Sequence, residues 1–234
     1  MLIKFLGTGS AFTLGDGNWH SNILIEKNGR RMLLDCGSDI RFSLAEAGLT
    51  MTDIDEIYIS HLHGDHVGGL EYAAFFTYFN PNKGRPILHI SKSMSDELWR
   101  STLAGGLGSL EGKVMTMNDY FDVNPVEQNQ GFHFEGTYFR LVQVIHIMNG
   151  FTVCPSFGLM WEENGKRVFW TSDSQYCPHQ IIKFYDMADI IFHDCETSPY
   201  KSGVHAHFND LCMLDEGVRK KMWLYHYQPG KLPD

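Results

Sequence analysis

The sequence predicts an α/β fold, an αββα sandwich in which two mixed β-sheets are flanked by helices. Short apolar runs of strand length dominate each half of the chain, and segments with helical spacing lie between them. Asn28-Gly29 and Asn164-Gly165 each separate two apolar runs, which is a strong hairpin signal. The 234 residues contain no repeat or linker-like stretch, so we expect residues 1–234 to form a single domain.

The elements of the first half follow from these patterns. Apolar runs predict strands over residues 2–6, 22–26, 31–35, 54–60 and 86–90. Helical spacing predicts helices over residues 39–47, 67–78 and 93–103. We expect the first helix to stop at Gly48 and the second to be broken at Asn80-Pro81, because proline cannot continue a helix.

The second half is also predicted to be rich in strands. Alternating or continuous apolar runs indicate strands over residues 132–146, 157–162, 167–171, 189–192 and 223–226. Helices are expected over residues 180–185 and 209–221, the second with Asn209 as its N-cap.

The chain is acidic, with a formal net charge of −9. A large non-specific nucleic-acid surface needs a basic face, so this charge argues against a large nucleic acid as partner. A small anionic substrate stays compatible with the charge, because a bound cation would reverse the sign of the local electric field.

Cysteine usage and hydropathy favour a cytoplasmic protein. The N-terminal residues lack the apolar core of a signal peptide, and no apolar stretch approaches the roughly 18 residues of a membrane span. We therefore expect no membrane contact. The number of cysteines is odd and none forms a C-x-x-C pair, which is typical of reduced, mostly buried thiols: Cys36, Cys154, Cys177, Cys195 and Cys212.

The run 61–66, His-Leu-His-Gly-Asp-His, is the strongest indication of function. It follows the strand predicted over 54–60, and a loop at a strand end directs several side chains at one place. Imidazole and carboxylate are the ligands that zinc takes in catalytic sites, and Gly64 permits a sharp backbone turn. The run therefore predicts a metal site that includes His61, His63, Asp65 and His66.

This run, followed by Val67-Gly68-Gly69-Leu70, resembles the H-x-H-x-D-H motif of the metallo-β-lactamase superfamily. The resemblance extends along the whole chain and implies the metallo-β-lactamase fold with two zinc or manganese ions. Two such ions share a hydroxide nucleophile and polarise a substrate oxygen. Asp35 would then steady the ligand loop. Carried over by position, one ion takes His61, His63, His146 and Asp173, and the other takes Asp65, His66, Asp173 and His226.

The bridging position separates branches of this superfamily. Secreted β-lactamases place cysteine there, whereas Asp173 is similar to the phosphodiesterase, glyoxalase II and lactonase branches. The opening segment, the ligand loop and the late segment resemble RNase Z-type phosphodiesterases. RNase Z carries a tRNA-gripping arm between its third-motif histidine and its bridging aspartate, but His146 and Asp173 are only 27 positions apart.

A closer resemblance is to the anti-Pycsar proteins, which are viral and bacterial enzymes similar to RNase Z. It is carried by residues 4–12, 39–45, 68–72, 146–150 and 155–159. It implies a homodimer that hydrolyses 3′,5′-cyclic mononucleotides, notably cCMP and cUMP, and so counters a nucleotide-signalled antiviral defence. If the chain is viral, it would act in the host cytoplasm. The sequence leaves the preferred nucleobase open.

Late polar residues resemble further parts of the RNase Z site. In Phe192–Glu196, His193 and Asp194 are expected behind the metal ligands. His205 and His207 are both candidates for contact with the phosphate or for proton transfer, since histidine titrates near neutrality. With Asp65 they form the predicted catalytic set: Asp65, His205 and His207.

The helical segment Glu71–Phe79 is unusually aromatic. Most of its rings are expected in the core, and some are expected to face a dimer partner or a nucleobase. Two other functions stay open at this point. One is an RNA-processing endonuclease, which the acidic charge disfavours. The other is a non-catalytic metal-binding protein of the same fold, which the full ligand set disfavours.

Overall fold

The computed structural model describes residues 1–15, 17–80 and 84–233. The chain divides into two compact units, Met1–Gln128 and Asn129–Asp234, and each contains a six-stranded sheet. Both sheets are mixed, as the sequence predicts. The expectation of a single domain stays a prediction.

The sheet of the first unit has the strand order β1-β2-β3-β4-β5-β8, and β6 pairs with β7 apart from it. Strands β3, β4, β5 and β8 run parallel to one another, so their carboxyl ends share one edge. The strands are β1 (Leu2–Phe5), β2 (Ile23–Lys27), β3 (Arg30–Leu34), β4 (Glu56–Ile59), β5 (Ile87–Ser91), β6 (Ser109–Leu110), β7 (Lys113–Val114) and β8 (Asp122–Val126).

The helices of the first unit are shorter than predicted. The helix expected over 67–78 is two helices that meet at Gly68-Gly69, and Pro81, its expected breaker, lies outside the described residues. The helix expected over 93–103 continues from α4 as a π-helical segment, Leu98–Leu103. The helices are α1 (Ile40–Glu46), α2 (Gly64–Val67), α3 (Leu70–Tyr78), α4 (Lys92–Glu97), α5 (Ala104–Leu107) and α6 (Met117–Tyr120), with a 3-10 turn at Met51–Asp53.

The sheet of the second unit has the order β14-β13-β12-β11-β10-β9. Strands β12, β13 and β14 are parallel, so their carboxyl ends also share an edge. The strands are β9 (Gly131–Phe134), β10 (Thr137–Met148), β11 (Val153–Glu163), β12 (Lys166–Trp170), β13 (Ile190–Asp194) and β14 (Met222–Tyr225). The helices are α7 (Pro178–Met187), α8 (Phe208–Leu211) and α9 (Glu216–Arg219).

The second unit refines one prediction and contradicts another. The strand-like region expected over 132–146 forms two strands, β9 and β10, separated by a turn at Glu135-Gly136, where both residues have positive φ (47° and 79°). The long helix expected over 209–221 is two separate short helices, and its N-cap is not Asn209. The ring of His207 caps α8, because its Nδ1 accepts the N–H of Asn209 at 3.2 Å.

Each unit has its own apolar core. In the first unit Leu33 and Ile57, on neighbouring strands, are fully buried, and in the second unit Phe169 and Ile191 pair across β12 and β13 with no exposure. Burying a side chain of this size stabilises the fold by about 1.5–3 kcal/mol. Because the buried strands are rigid, they fix the positions of the polar residues that follow them.

The cysteine prediction is correct only in part. All five thiols are free; Cys36 and Cys195 are buried, but Cys154 and Cys177 are half-buried and Cys212 is exposed. Burial raises the pKa of the Cys195 thiol to about 12, so it is an inert apolar residue. Within the described parts of the chain, no helix combines the length and the apolar character that crossing a bilayer requires.

Candidate metal centre

The N-terminal cluster, defined as His61, His63, Asp65 and His66, follows β4 on the segment that leads into and forms α2. Nε2 of His61 lies 3.1 Å from Nδ1 of His63. Nε2 of His66 lies 3.3 Å from Oδ2 of Asp65. His61 and His66 are buried, whereas His63 is exposed. The structure thus brings the four predicted ligands of this unit together, with their donor atoms in two close pairs.

Asp35, at the end of β3, holds this cluster from behind. Its Oδ2 accepts a hydrogen bond from Nδ1 of His66 at 2.7 Å. The carboxylate also accepts the N–H and the Oγ–H of Ser60, both at 2.8 Å, and Ser60 Oγ lies 3.0 Å from Nδ1 of His61. Burial raises the pKa of Asp35, and the charge and hydrogen bond of His66 oppose that rise. Two histidine rings therefore have their Nδ1 atoms engaged and their Nε2 atoms turned toward the cluster.

Glycines let the ligand loop lie against the end of β3. Cys36 N–H donates to the carbonyl of His66 at 2.8 Å, and Gly69 N–H donates to the carbonyl of Cys36 at 2.9 Å. A Cβ on Gly37 would lie 2.1 Å from the carbonyl oxygen of Asp65. Any larger residue at position 37 would push the ligand loop away, so the glycines set the position of the cluster.

The C-terminal cluster, defined as His146, Asp173 and His226, lies in the second unit. Oδ2 of Asp173 is 3.8 Å from Nε2 of His146 and 3.4 Å from Nε2 of His226. All three residues are at most 2% exposed. One carboxylate oxygen therefore lies between two imidazole nitrogens, which is the arrangement expected of a bridging ligand.

His146 lies in a β-bulge rather than at a strand end. The sequence predicts that its strand stops there, but β10 continues to Met148, and its register with β11 shifts between Ile145 and Ile147. A bulge leaves one residue out of the ladder and redirects its side chain. The bulge therefore turns His146 toward Asp173 without ending the strand.

Three residues of the site have left-handed backbone conformations. The φ angles are 64° at Asp35, 54° at Ser172 and 64° at His226. Such conformations cost about 1–3 kcal/mol each for ordinary residues and occur at functional sites where the surrounding structure enforces them. Here they occur just after β3, β12 and β14, where the turns place the side chains of Asp35 and His226 themselves, and of Asp173 after Ser172, at the clusters.

Two further groups orient the C-terminal cluster. The carbonyl of Val204 accepts Nδ1–H of His146 at 2.8 Å. Asp194 at the end of β13 lies 3.4 Å from Nδ1 of His226 through Oδ1. Burial lowers the pKa of His146, which favours the neutral ring. The sequence predicted Asp194 behind the ligands, but a main-chain carbonyl such as Val204 leaves no pattern in a sequence, and neither does a bulge.

The structure separates the two late histidines. Nδ1 of His205 lies 2.7 Å from Oδ2 of Asp194, and its ring packs between those of His146 and His226, with centroids 4.9 and 4.8 Å away. Burial lowers the pKa of His205, but the charge and hydrogen bond of Asp194 outweigh it and leave the pKa raised. His207 caps α8, and its Nε2 contacts the carbonyl of Ser198 at 3.0 Å.

His193 lies on a different side of β13 from Asp194. Its Nε2 contacts the hydroxyl of Tyr185 at 2.5 Å, and its Nδ1 contacts the carbonyl of Asp194. Both ring nitrogens are therefore engaged beside α7, and the ring supports the core rather than a ligand. Of the two residues predicted behind the ligands, the structure places Asp194 against them and His193 away from them.

The donor geometry fits zinc. Two ligands of one tetrahedral zinc ion, each about 2.0–2.1 Å from it, lie about 3.3 Å apart. The closest donor pairs within the two clusters are separated by 3.1, 3.3 and 3.4 Å. Four of the histidines also have Nδ1 within hydrogen-bond or ion-pair distance of a second group and Nε2 on the cluster side, the usual arrangement of metal-ligating histidines: His61, His66, His146 and His226.

The fold and these clusters define the chain as a protein of the metallo-β-lactamase fold with candidate metal ligands. The metallo-β-lactamase fold protein YhfI from Bacillus subtilis superposes with a TM-score of 0.74 at 16% identity, over 98% of this chain and 87% of that one. Human tRNase Z, short form, superposes with a TM-score of 0.72 at 20% identity, over 97% of this chain and 92% of that one. The predicted αββα fold is confirmed.

The model of the Anti-Pycsar protein Apyc1 family matches residues 1–234, and the chain belongs to that family. An Anti-Pycsar protein Apyc1 of Paenibacillus harenae is 36% identical over 229 residues, which cover 97% of this chain and 90% of that protein. A relative of the same name from Bacillus phage vB_BveM-Goe7 is 28% identical over 236 residues, which cover 96% of this chain and 88% of that protein. The predicted relationship to the anti-Pycsar proteins is confirmed.

Proposed function

We propose that the chain is a dinuclear zinc phosphodiesterase that opens 3′,5′-cyclic mononucleotides to linear nucleoside monophosphates. One zinc ion would be held by His61, His63, His146 and Asp173, and the other by Asp65, His66, Asp173 and His226. The observation that carries this proposal is the position of the Asp173 carboxylate oxygen between two histidine Nε2 atoms. Manganese would suit the same donors.

The chain's own residues would orient the metal ligands, and the metal ions would supply the positive charge that the reaction needs. Bound zinc lowers the pKa of a water toward about 7 and neutralises a phosphodiester. Asp35 and Asp194 would fix the ligand rings, so that little reorganisation is needed when the substrate arrives. Asp65 would affect catalysis as a metal ligand, because its carboxylate would contribute negative charge to the ion that it binds.

His205 is the residue we propose for contact with the phosphate or with the leaving 3′-oxygen. Its ring lies beside two proposed ligands and is oriented by Asp194 through Nδ1, so Nε2 is the atom that would donate a proton. His207 has both ring nitrogens engaged in capping α8 and in binding Ser198. The geometry therefore favours His205 over His207 for this role.

A small substrate is supported by the hairpin between the third-motif histidine and the bridging aspartate. Strands β11 and β12 fill this stretch and pair within the sheet, with Leu159 opposite Trp170 and Glu163 opposite Lys166. This hairpin offers no long arm for gripping tRNA. A cyclic mononucleotide carries one phosphodiester charge, which two zinc ions would neutralise without a basic protein surface. The net charge of −9 is consistent with such a substrate.

The name of the relatives supports a role against an antiviral defence. They are called anti-Pycsar proteins, and we infer that this chain likewise removes a cyclic nucleotide signal of an antiviral defence, with pyrimidine forms (cCMP and cUMP) among its substrates and cAMP and cGMP as further candidates. It would act in the cytoplasm in which that signal is made. An RNA-processing endonuclease is the competing function, and human tRNase Z shares the fold but only 20% identity with this chain.

We also propose a homodimer that uses one face of α3. Tyr72, Phe75, Phe76 and Phe79 line a groove of about 640 Å³ with Arg41 of α1. Phe79 is 64% exposed, and with the neighbouring aromatic rings of the groove it forms a contiguous apolar patch, the kind of surface that marks association sites. C₂ pairs are the commonest closed assemblies, and a self-complementary aromatic face suits one.

The proposed activity is tested by incubating zinc-replete protein with cCMP, cUMP, cAMP and cGMP and resolving the products by chromatography. Elemental analysis of the same sample should give close to two metal ions per chain. We expect the linear monophosphates from at least the two pyrimidine nucleotides. A homogeneous, zinc-replete protein that leaves all four nucleotides intact would refute the proposed activity and leave the nuclease and the non-catalytic alternatives.

A further inference from the structure

Glu196 is a buried carboxylate that the proposed metal ligands do not use. It is 3% exposed and follows β13, at the start of a loop whose residues 199–203 are exposed. Its Oε1 accepts the Oγ–H of Ser198 at 3.0 Å, and its Oε2 accepts the N–H of Ser202 at 2.9 Å. Both donors are neutral and belong to the loop itself, so the loop stabilises the buried negative charge and the charge fixes the loop.

The backbone of Glu196 holds the far end of the same loop. Its N–H donates to the carbonyl of Ala206 at 2.8 Å, and its carbonyl accepts the N–H of Phe208 at 2.9 Å. Through its side chain and its backbone, one residue therefore closes residues 197–207 into a loop with a defined shape.

This loop carries two groups that touch the C-terminal cluster. Ser202 Oγ accepts the N–H of Val204 at 3.3 Å, and the carbonyl of Val204 accepts Nδ1–H of His146 at 2.8 Å. The next residue, His205, reaches Asp194 at 2.7 Å. Hydrogen bonds, joined by the covalent structure of Ser202 and Val204, thus connect Glu196 to a proposed zinc ligand.

We propose that Glu196 is a positioning residue for the metal centre, which acts by holding Val204 and His205 in place. The inference rests on the proposed role of His146 as a zinc ligand. While the Val204 carbonyl accepts Nδ1–H, the Nε2 atom of His146 keeps a lone pair for zinc. Without the Glu196 carboxylate, Ser202 loses its acceptor, Val204 moves, and the His146 ring populates the tautomer that has Nε2 protonated and cannot bind metal.

The test compares Glu196→Ala, Glu196→Gln and Ser198→Ala with the wild type in the full-length chain. The matched control is Lys201→Ala, since Lys201 lies on the same loop but its exposed side chain bonds to Asp210 of α8 rather than to Glu196. Nitrogen-15 NMR of the metal-free protein reports the tautomer of His146, and competition with a chelator reports zinc affinity. Both readouts are independent of turnover.

We expect Glu196→Ala to give a mixture of His146 tautomers and to weaken zinc binding by about tenfold, as loss of a residue behind a ligand commonly does. Glu196→Gln should fall between it and the wild type, because the amide is neutral and replaces one of the two acceptor oxygens with an NH₂ group. Ser198→Ala should cause a smaller loss, and Lys201→Ala should match the wild type.

Unchanged tautomer populations and zinc affinity in Glu196→Ala would overturn the proposal, even if that variant melts at a lower temperature, because a purely structural role predicts only the lower melting temperature. If Glu196→Ala fails to fold, Glu196→Gln and Ser198→Ala decide by the same readouts. A wild type that binds zinc through His146 but hydrolyses no cyclic nucleotide would refute the proposed function and leave this inference standing.

Discussion

The Asp35→Asn substitution probes how the N-terminal cluster is held. Asparagine has nearly the shape of aspartate and tolerates the left-handed φ of 64° at this position, so the backbone should be retained. The amide is neutral, and it has a donor where the carboxylate has a charged acceptor. In the wild type, that carboxylate accepts from Nδ1 of His66 and from Oγ of Ser60.

The substitution should reverse the direction of the hydrogen bonds that residue 35 makes with His66 and with Ser60. An amide N–H facing His66 requires its Nδ1 to become an acceptor, which moves the ring proton to Nε2. An amide N–H donated to Ser60 turns the serine Oγ–H toward Nδ1 of His61, 3.0 Å away, with the same effect on that ring. Each ring would then present N–H where zinc needs a lone pair.

The expected loss is a factor of roughly 10–100 in zinc affinity, which is the usual effect of removing a group behind a ligand. This factor corresponds to about 1.4–2.8 kcal/mol of binding free energy. The assay is chelator competition followed by elemental analysis. Asp119→Asn is the matched control, because Asp119 also accepts a backbone N–H and a hydroxyl, in the cap of α6, but lies outside the cluster.

Asp35→Asn should therefore lose metal while Asp119→Asn keeps it. If Asp35→Asn retains two zinc ions with wild-type affinity, the direction of these hydrogen bonds does not govern binding, and the reasoning about Asp35 is refuted.

Three other predictions follow from the same geometry. Asp173→Ala should release both metals together and reduce turnover of cyclic nucleotides at least a hundredfold, as elemental analysis and kinetics would show; retention of full activity would mean that the bridge is assigned to the wrong residue. His205→Ala should lower kcat with little change in metal content, whereas His207→Ala should chiefly lower the melting temperature; the opposite pattern would exchange their roles. Phe79→Arg should convert the expected dimer to a monomer in sedimentation experiments at micromolar concentration, and a wild type that is already monomeric would remove the dimer proposal.

The sequence predicts those parts of the fold that depend on local pattern. Both Asn-Gly hairpins occur as predicted, because a turn with positive φ at Asn28 and Asn164 is encoded by the turn residues themselves. The helix expected over 209–221 is wrong because amphipathic spacing cannot show that Asp215 starts a second helix, with its side chain accepting the N–H of Gly217 at 2.7 Å.

The residues of the candidate site also fall into two groups: those that a local sequence pattern indicates and those that only tertiary contacts reveal. The ligand run at 61–66 is contiguous, and its residue types alone indicate metal chemistry. The choice between His205 and His207 cannot be made from the sequence, because both lie on the same loop and only tertiary contacts place one beside Asp194 and the other at a helix cap. The same holds for Glu196 and the Val204 carbonyl, whose importance appears only once the loop is closed.

The central claim is that this chain acts on a small cyclic phosphodiester. The most direct test measures kcat/KM for cCMP beside kcat/KM for a pre-tRNA, with the same zinc-replete protein in one buffer of stated salt concentration, since salt governs any nucleic-acid affinity. We predict efficient opening of cCMP to its linear monophosphate and negligible cleavage of the pre-tRNA. Efficient pre-tRNA processing with inert cCMP would contradict the claim and identify the protein as a nuclease.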